Sequence, residues 1–508
     1  MPNVTKPESK KVHLPVLHED GLGASWPVFG SAEVSKYGAV GLEIALPETP
    51  PGSTPNGITK SSEGTRDVYR ISRVEPLPLV NNITCHKVDN DHLWLGVDDG
   101  LALVADDDES ELVRAFVKVA SPEDVARHAE HVLGLDKAAA WKATAALIGR
   151  LSAAGFVRGI QGYHSVKKIR PHAFARFHLT NRCQLECIHC YTASSPHLPD
   201  DDELSTERWI QLVDEFADNG GQRILFTGGE ALVHRGCVEI MRRAKARGLE
   251  VTLFSNGILI PRHIDALKEC ADIVQISIDG PTAESHDHVR GEGSFKKAMR
   301  AIQLLLDAKI NTRVSTTLMM DNWEAFKSEF PNFVAQFEGT ELGFRISYGA
   351  MSHGRGTDLD QSLDTEQTRA YVDKLLSRVK TTENRAEGPN AIQKISGCGY
   401  AEQLVIAADG LVYPCHLLSG ALGHVDQMPV AQITRYLERT AEAFSVDHRK
   451  GCGTCDLRHL CGGSCRVEDE KHTGSRLITT CTPEEKLRKK RFLTKRYRPL
   501  MVSDPEAT

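Results

Sequence analysis

Thirteen cysteines are the residues in this chain best equipped for chemistry, and ten of them fall into two groups, one near residue 185 and one between 398 and 481. The first group reads Leu179-Thr-Asn-Arg-Cys183-Gln-Leu-Glu-Cys187-Ile-His-Cys190-Tyr191, a C-x3-C-x2-C spacing. Three thiolates can hold three irons of a cubane, where four would close it. The iron left open is the feature that separates catalytic metal sites from structural ones. A zinc knuckle is the alternative, with His189 or His178 as fourth ligand, as are three unrelated thiols.

Such thiols need a scaffold, and apolar periodicity outlines it. Six candidate strands, Ala175–Leu179, Ile224–Thr227, Val251–Ser255, Ile273–Ile278, Thr312–Leu318 and Gly343–Ser347, alternate with helices over residues 170–385. One helix starts at Ser205, buries Trp209, Leu212, Val213 and Phe216, and stops at Gly220. Another carries Phe295, Met299, Ile302 and Leu306. The alternation predicts an α/β fold with a parallel sheet, open or closed into a partial (β/α)6 TIM-like barrel. Ligands in such sheets sit at the carboxyl ends of the strands. The cysteine loop leaves the first strand there. Gly228-Gly229-Glu230 leaves the second, Ser255-Asn256 the third, and Ser277-Ile-Asp279 the fourth. The glycines let backbone approach a ligand, Glu230 offers an acceptor for an ammonium, and short polar side chains suit sugar hydroxyls. Taken singly, each is equally well explained as loop capping.

In this order, the loop and strand-end residues resemble the radical S-adenosylmethionine superfamily, whose loop is C-x3-C-x-aromatic-C, with His189 in the aromatic slot. The resemblance implies that Cys183, Cys187 and Cys190 hold a 4Fe–4S cluster. Its open iron would be chelated by the amino and carboxylate groups of S-adenosylmethionine. An electron from the cluster would split the sulfonium into methionine and a 5′-deoxyadenosyl radical, while the protein positions the target atom. Gly228, Gly229 and Glu230 would receive the cofactor's amino group, and Ser255, Asn256, Ser277 and Asp279 would lie along its ribose. Arg290 would take its carboxylate, a sensible place for a cation beside a net-negative cluster.

The second group runs Cys398-x11-Gly410-x4-Cys415, then Cys452-x2-Cys455-x5-Cys461-x3-Cys465, a gap, and Cys481. All seven cysteines match the SPASM extension of that superfamily. The resemblance implies two auxiliary 4Fe–4S clusters, an outer one on Cys452, Cys455, Cys461 and Cys481 and an inner one on Cys398, Cys415 and Cys465. With only three cysteines, the inner cluster is expected to take a non-cysteine fourth ligand such as water, His416 or a substrate group. Structural zinc is the alternative for paired C-x2-C spacing. Ala408-Asp-Gly410 reads as a hairpin turn between Leu404–Ile406 and Leu411–Tyr413. Residues 390–485 otherwise show little helical periodicity, so their order is expected to come from metal. Cys85, Cys237 and Cys270 remain as buried apolar residues.

Ahead of the barrel, residues 1–84 are rich in Pro, Gly, Ser and Thr and read as a largely irregular arm. Residues 85–165 read as a small winged-helix-like unit. His92–Val97 and Leu101–Ala105 flank the turn Asp98-Asp-Gly100, and Ser121-Pro-Glu-Asp124 opens a helix. A further helix presents Trp141, Ala145, Ile148 and Leu151, and Phe156-Val157 begins a closing strand. This order resembles the peptide recognition element of peptide-natural-product maturases, which binds a leader peptide as an added strand. After the cysteines, the basic run 486–508 reads as a solvated tail.

A formal charge of −7 over 508 residues argues against a dedicated nucleic-acid binder. No signal-like or membrane-length apolar run is present, so a cytoplasmic enzyme without membrane contact is expected. Relatives with SPASM extensions mostly modify ribosomally made peptides or protein side chains. The leading expectation is a precursor-peptide maturase that abstracts hydrogen and installs a crosslink or oxidative change, supplied with electrons by a flavodoxin- or ferredoxin-type donor. Maturation of an enzyme side chain (formylglycine or quinone type) and a non-catalytic iron–sulfur binding protein are the alternatives. No residue names the substrate or the bond formed.

Overall fold

The computed structural model describes residues 42–45, 58–63, 66–118, 120–160, 165–166, 173–351, 353–359, 363, 366–376 and 393–498. β1 (Leu42–Ala45), β2 (Ile58–Glu63) and β3 (Arg66–Ile71) form a small sheet in the order β1-β3-β2. The expected irregular arm therefore contains a sheet. Strands this short, set among Pro and Gly, carry too few alternations to be read from sequence.

β4 (Ile83–Val88), β5 (Asp91–Gly96) and β6 (Leu101–Ala105) then form an antiparallel meander, followed by α1 (Asp107–Val117), α2 (Pro122–Val132) and α3 (Lys137–Ala153). The expected hairpin is present, with Gly96 opposite Leu101 and Gly100 at φ 67° in its turn. Ser121 caps α2 reciprocally with Asp124, each backbone N–H reaching the other's side chain at 3.2 Å. Strand β4 and helix α1 lay outside the sequence reading. Phe156-Val157 makes only a single bridge, from Val157 to Leu79. The unit has its own core, built on Leu93, Leu95, Leu103, Phe116, Ile148 and Phe156.

The main sheet follows a two-residue ladder between β7 (Ser165–Val166) and β14 (Gln393–Lys394). Its first six strands are β8 (Phe174–His178), β9 (Arg223–Thr227), β10 (Glu250–Ser255), β11 (Ile273–Ser277), β12 (Asn311–Leu318) and β13 (Gly343–Tyr348), all parallel and in sequence order. Between them run α4 (Thr206–Asp218), α5 (Cys237–Ala246), α6 (Ile260–Cys270), α7 (Ala283–Arg290), α8 (Ser294–Asp307) and α9 (Met320–Ala335), with α10 (Glu366–Leu376) after β13. Alternate strand residues, such as Ala175 and Phe177 on β8, face the helices and pack on Trp209 and its neighbours.

The sheet continues past the barrel strands. β15 (Leu404–Ile406) pairs parallel with β8, and β16 (Leu411–Tyr413) and β17 (Gly423–His424) extend it antiparallel. α11 (Val430–Ala443) buries Val430, Ile433, Leu437 and Ala441 in the same core as the barrel. The region expected to owe its order to metal is thus partly an extension of the barrel. Its apolar residues looked too sparse only because they complete a core supplied by other elements. α12 (Arg458–Cys461) and α13 (Arg466–Thr473) are short pieces between the later cysteines.

The basic run is not a solvated tail. It forms α14 (Pro483–Tyr497), capped by Thr482, and lays Leu493 and Tyr497 into the core of the β4–β6 unit. Cations mask this face in sequence, because Arg491 and Arg498 reach Asp89 and Asp91 of the same unit. Replacing Leu493 with Ala should therefore destabilise the β4–β6 unit by about 2–4 kcal/mol. Denaturant titration of that unit's Trp94 fluorescence reads this directly, and an unchanged midpoint would show that α14 contributes nothing to the core.

Candidate active site

The cysteine loop leaves β8 and is pinned by the end of β9. Gly229 N–H donates to Thr180 O at 2.8 Å and Glu230 N–H to Arg182 O at 2.9 Å. A Cβ on Gly228 would stand 2.3 Å from Thr180 O, and one on Gly229 would stand 2.4 Å from Arg182 O. The glycines expected to admit a ligand instead admit the backbone of the cysteine loop itself. From the other side, Arg355 holds the loop by donating from Nε to Cys187 O and from Nη2 to Ser194 O, both at 2.8 Å. The Gly-Arg-Gly segment that presents Arg355 follows β13, and no motif flagged it in the sequence.

Cys183 and Cys187 are buried and Cys190 is half-buried. Burial pushes the Cys183 thiol up to about 12, and the neighbouring Glu230, Cys187 and Cys190 add to the rise. As bare thiols these groups resist ionisation, and a cationic metal among them reverses that preference. Donors are already aimed at the sulfurs: Asn256 Nδ2 lies 3.6 Å from Cys183 Sγ, and Arg290 Nη1 lies 3.9 Å from Cys187 Sγ.

The two rim carboxylates are in opposite condition. Glu230 is 1% exposed and accepts from Asn256 N–H at 2.7 Å and Leu232 N–H at 3.3 Å. Burial outweighs these bonds and raises its carboxyl to about 7. It is a buried acid short of a cation, which suits an arriving amino group. Asp279, also 1% exposed, has every acceptor engaged. Oδ2 takes Arg290 Nε and His189 Nε2, both at 2.6 Å, and Oδ1 takes Thr317 N–H at 2.7 Å. The Arg290 and His189 contacts overcome its burial and hold it well below the usual carboxylate range. Asp279 was expected along a ribose, but it positions Arg290 and the loop residue His189. Ser255 and Ser277 stand at the ends of β10 and β11. Asn256, expected beside them, turns its amide to Cys183 and to Gln184 Oε1 at 3.1 Å.

The second cysteine field gathers into two neighbourhoods. Cys452, Cys455, Cys461, Cys465 and Cys481 line a cavity of about 230 Å³ together with Lys486 and Lys489 of α14. Cys415 is pushed up to about 11 by burial and by Cys398 and Cys465 beside it. Cys481 also rises to about 11, from burial, Glu485, Cys461 and Cys455. Cys465 thus faces both groups. Two fully buried arginines run through this field. Arg449 pairs with Asp469 and reaches Cys452 Sγ at 3.7 Å, and Arg466 donates to Gly462 O and Ser464 O at 2.8 and 2.9 Å. Neither was flagged by sequence. Cys237 and Cys270 lie in the core of the main sheet, and Cys85 packs against the β4–β6 core.

A mostly parallel sheet flanked by helices, with a three-thiol loop at the carboxyl end of β8 beside a carboxylate that lacks a cation and a bracketed arginine, defines an α/β protein with a thiol-lined rim. Residues 177–327 match the model of the Radical SAM superfamily. The AdoMet-dependent heme synthase of Nitratidesulfovibrio vulgaris is 30% identical over 341 residues, which cover 59% of this chain and 88% of that protein. The sporulation killing factor maturation protein SkfB of Bacillus subtilis is 32% identical over 278 residues, covering 52% of this chain and 66% of that protein. Native anSMEcpe with bound AdoMet shares the fold at 20% identity and TM-score 0.50, over 65% of this chain and 98% of that one. The chain belongs to the Radical SAM superfamily and is an enzyme of that class. No helix among the described residues is long and apolar enough to cross a membrane.

Gly229→Ala should push a methyl group into the Arg182 carbonyl and displace the loop, costing about 1–3 kcal/mol. Iron per chain and S-adenosylmethionine cleavage in the reconstituted variant should both fall. Wild-type values for both would mean that the loop relaxes around the added carbon.

Proposed function

We propose that this enzyme is a precursor-peptide maturase with three iron–sulfur clusters. Cys183, Cys187 and Cys190 would hold the first, with Glu230 receiving the cofactor's amino group, Arg290 its carboxylate, and Ser255 and Ser277 its sugar. The bound cluster and S-adenosylmethionine supply a 5′-deoxyadenosyl radical. The chain's own residues then do three things: Arg290 and Asn256 stabilise thiolate charge, Asp279 fixes Arg290 and His189, and the buried rim excludes water. Cys452, Cys455, Cys461 and Cys481 would serve the outer auxiliary cluster, and Cys398, Cys415 and Cys465 the inner. His416 Nδ1, 3.6 Å from Cys415 Sγ, is a candidate for the inner cluster's remaining iron. An external one-electron donor would reduce the enzyme.

The observation that carries the peptide reading is the β4–β6 unit, whose three strands and three helices suit a winged-helix-like recognition element. Alignment to the heme synthase spans 88% of that protein yet 59% of this chain, so a large part of this chain has no counterpart there. SkfB is named as a maturation protein. In the meander, β6 is buried along its length, and its outward carbonyl at Val104 accepts Arg150 Nη2 at 2.6 Å. On β4 the outward backbone groups of Cys85 and Lys87 meet no hydrogen-bond partner among the described residues. That edge could take an added strand. A tetrapyrrole substrate is the second reading, favoured by the identity with the heme synthase.

Replacing Cys183, Cys187 and Cys190 together with Ala should abolish 5′-deoxyadenosine release and leave about two clusters' worth of iron. Unaltered release, or full iron loss, would overturn the cluster assignments. The recognition reading is tested at Lys87, an exposed edge residue where Pro removes an unused N–H and a surface ion pair with Asp107, with Lys87→Ala as the control for the ion pair. Lys87→Pro should keep cofactor cleavage running but uncouple it, with modification of a co-expressed precursor peptide strongly reduced. Equal modification would leave the unit a structural one.

A further inference from the structure

The barrel interior has a charge pattern that the cofactor-binding rim does not use. Strand residues alternating with the helix-facing set point into the lumen. On β8 these are Arg176 and His178, on β12 Arg313, and on β13 Arg345, between the core residues Phe344 and Ile346. Apart from Arg223 and Glu250 at the amino ends of β9 and β10, this set holds three arginines and no carboxylate. Arg176 lies over the Phe254 ring at 5.9 Å, which fixes it inside the lumen. Its Nε is buried without a hydrogen-bond partner, and both ring nitrogens of the fully buried His178 are likewise unpartnered.

Arg345 stands at the level where chemistry is expected. It is opposite Ser315 in the ladder, and Ser315 is opposite Ser277, so one row joins it to the proposed sugar-binding serine. Arg345 is exposed on β13, the terminal strand of the sheet, so its guanidinium is open to an arriving group. The charges acting between it and its surroundings are those of Arg176 and His416, which are both basic. Arg176 has the Cys415 thiol and the Tyr191 hydroxyl beside it and can serve the inner cysteines. Glu230 accepts from the backbone of Asn256 and Leu232, and Asp279 from Arg290 and His189, so neither pairs with Arg345. Arg345 is left as a cation at the open end of a cationic lumen, facing where a substrate must enter.

We propose that Arg345, backed by Arg176, binds a carboxylate of the substrate at the barrel mouth, so that the residue delivered to the radical site is acidic or adjoins an acidic residue. A guanidinium fork suits a planar carboxylate, and low dielectric strengthens the pair. The inference rests on the maturase reading for the carboxylate's source, a peptide side chain, and the test separates the two.

The probe is glutarate, with neutral glutaramide as control, titrated into reconstituted enzyme with S-adenosylmethionine and followed by ligand-observed NMR. Wild-type enzyme should bind glutarate and not glutaramide. Arg345→Met should weaken glutarate binding at least tenfold with iron per chain unchanged, and Arg345→Lys should weaken it less. Equal binding of the two probes, or unchanged glutarate binding by Arg345→Met, overturns the site. A second arm asks whether the capped peptide acetyl-Gly-Glu-Gly-amide or a carboxylated porphyrin displaces glutarate from wild-type enzyme. Displacement by the peptide supports both the site and the maturase reading. Displacement by the porphyrin alone keeps the site and removes that reading.

Discussion

The structure turns on one buried carboxylate. Asp279 receives Arg290 from the end of α7, His189 from the cysteine loop and Thr317 N–H from β12, while its own carbonyl accepts Asn322 Nδ2 of α9 at 2.7 Å. A charge so deep is tolerated only because each acceptor is met by a donor, two of them on basic side chains. Removing Arg290 leaves an anion, and removing Asp279 a guanidinium, without its counter-charge in low dielectric, which is far costlier than losing an ordinary contact. The cysteine loop is therefore held by electrostatics at His189 and Arg290 on one side and by interlocked backbone at Gly228 and Gly229 on the other.

This arrangement gives the two rim acids different work. Both are almost fully buried, so burial does not distinguish them; their partners do. Asp279, held by Arg290, His189 and the Thr317 N–H well below the usual carboxylate range, points its chemistry inward at Arg290. Glu230 has only backbone and hydroxyl donors, and burial raises its carboxyl to about 7, so a bound cationic or amino group has something to gain there. The sequence reading places both acids at strand ends and gives each a cofactor contact, the amino group for Glu230 and the ribose for Asp279. Only the partner set separates the acid that holds the site from the acid that waits for a ligand.

The same distinction explains what was legible. The six barrel strands fall within a few residues of their expected positions, because each is a run of apolar residues long enough to carry its own signal. Cys183, Cys187 and Cys190 come together because three residues of one loop need no long-range information. Arg355, Arg449 and Arg466 were not legible, because an isolated arginine looks solvated until distant carbonyls and thiols are found around it. α14 failed for a related reason: its apolar stripe is two residues, Leu493 and Tyr497, within a run of cations. The hairpin of β15 and β16 was legible from its turn, but the pairing of β15 with β8 was not, because no local signal records which sheet edge a strand joins.

The chain has two cores, and the outer cysteines lie on the seam between them. Leu457 is buried in the core of the β4–β6 unit, and Cys455 and Cys461 pack against it. Asp456, next to Cys455, pairs with His86 of β4, which also meets Lys490 of α14 at 3.0 Å. Arg458 reaches Asp98 at the hairpin turn at 2.6 Å. These contacts make the loops around Cys452, Cys455, Cys461 and Cys481 a shared wall rather than an appendage of the barrel. Any group that orders those loops also orders the surface on which the β4–β6 unit rests, because binding free energy in a site assembled on folding is folding free energy. The converse holds through the same contacts: a strand added to the edge of β4 would press on His86, and through it on the segment carrying Cys455. The β4–β6 unit and the outer cysteine group are therefore one mechanical element, joined to the radical site through the sheet that β15 shares with β8.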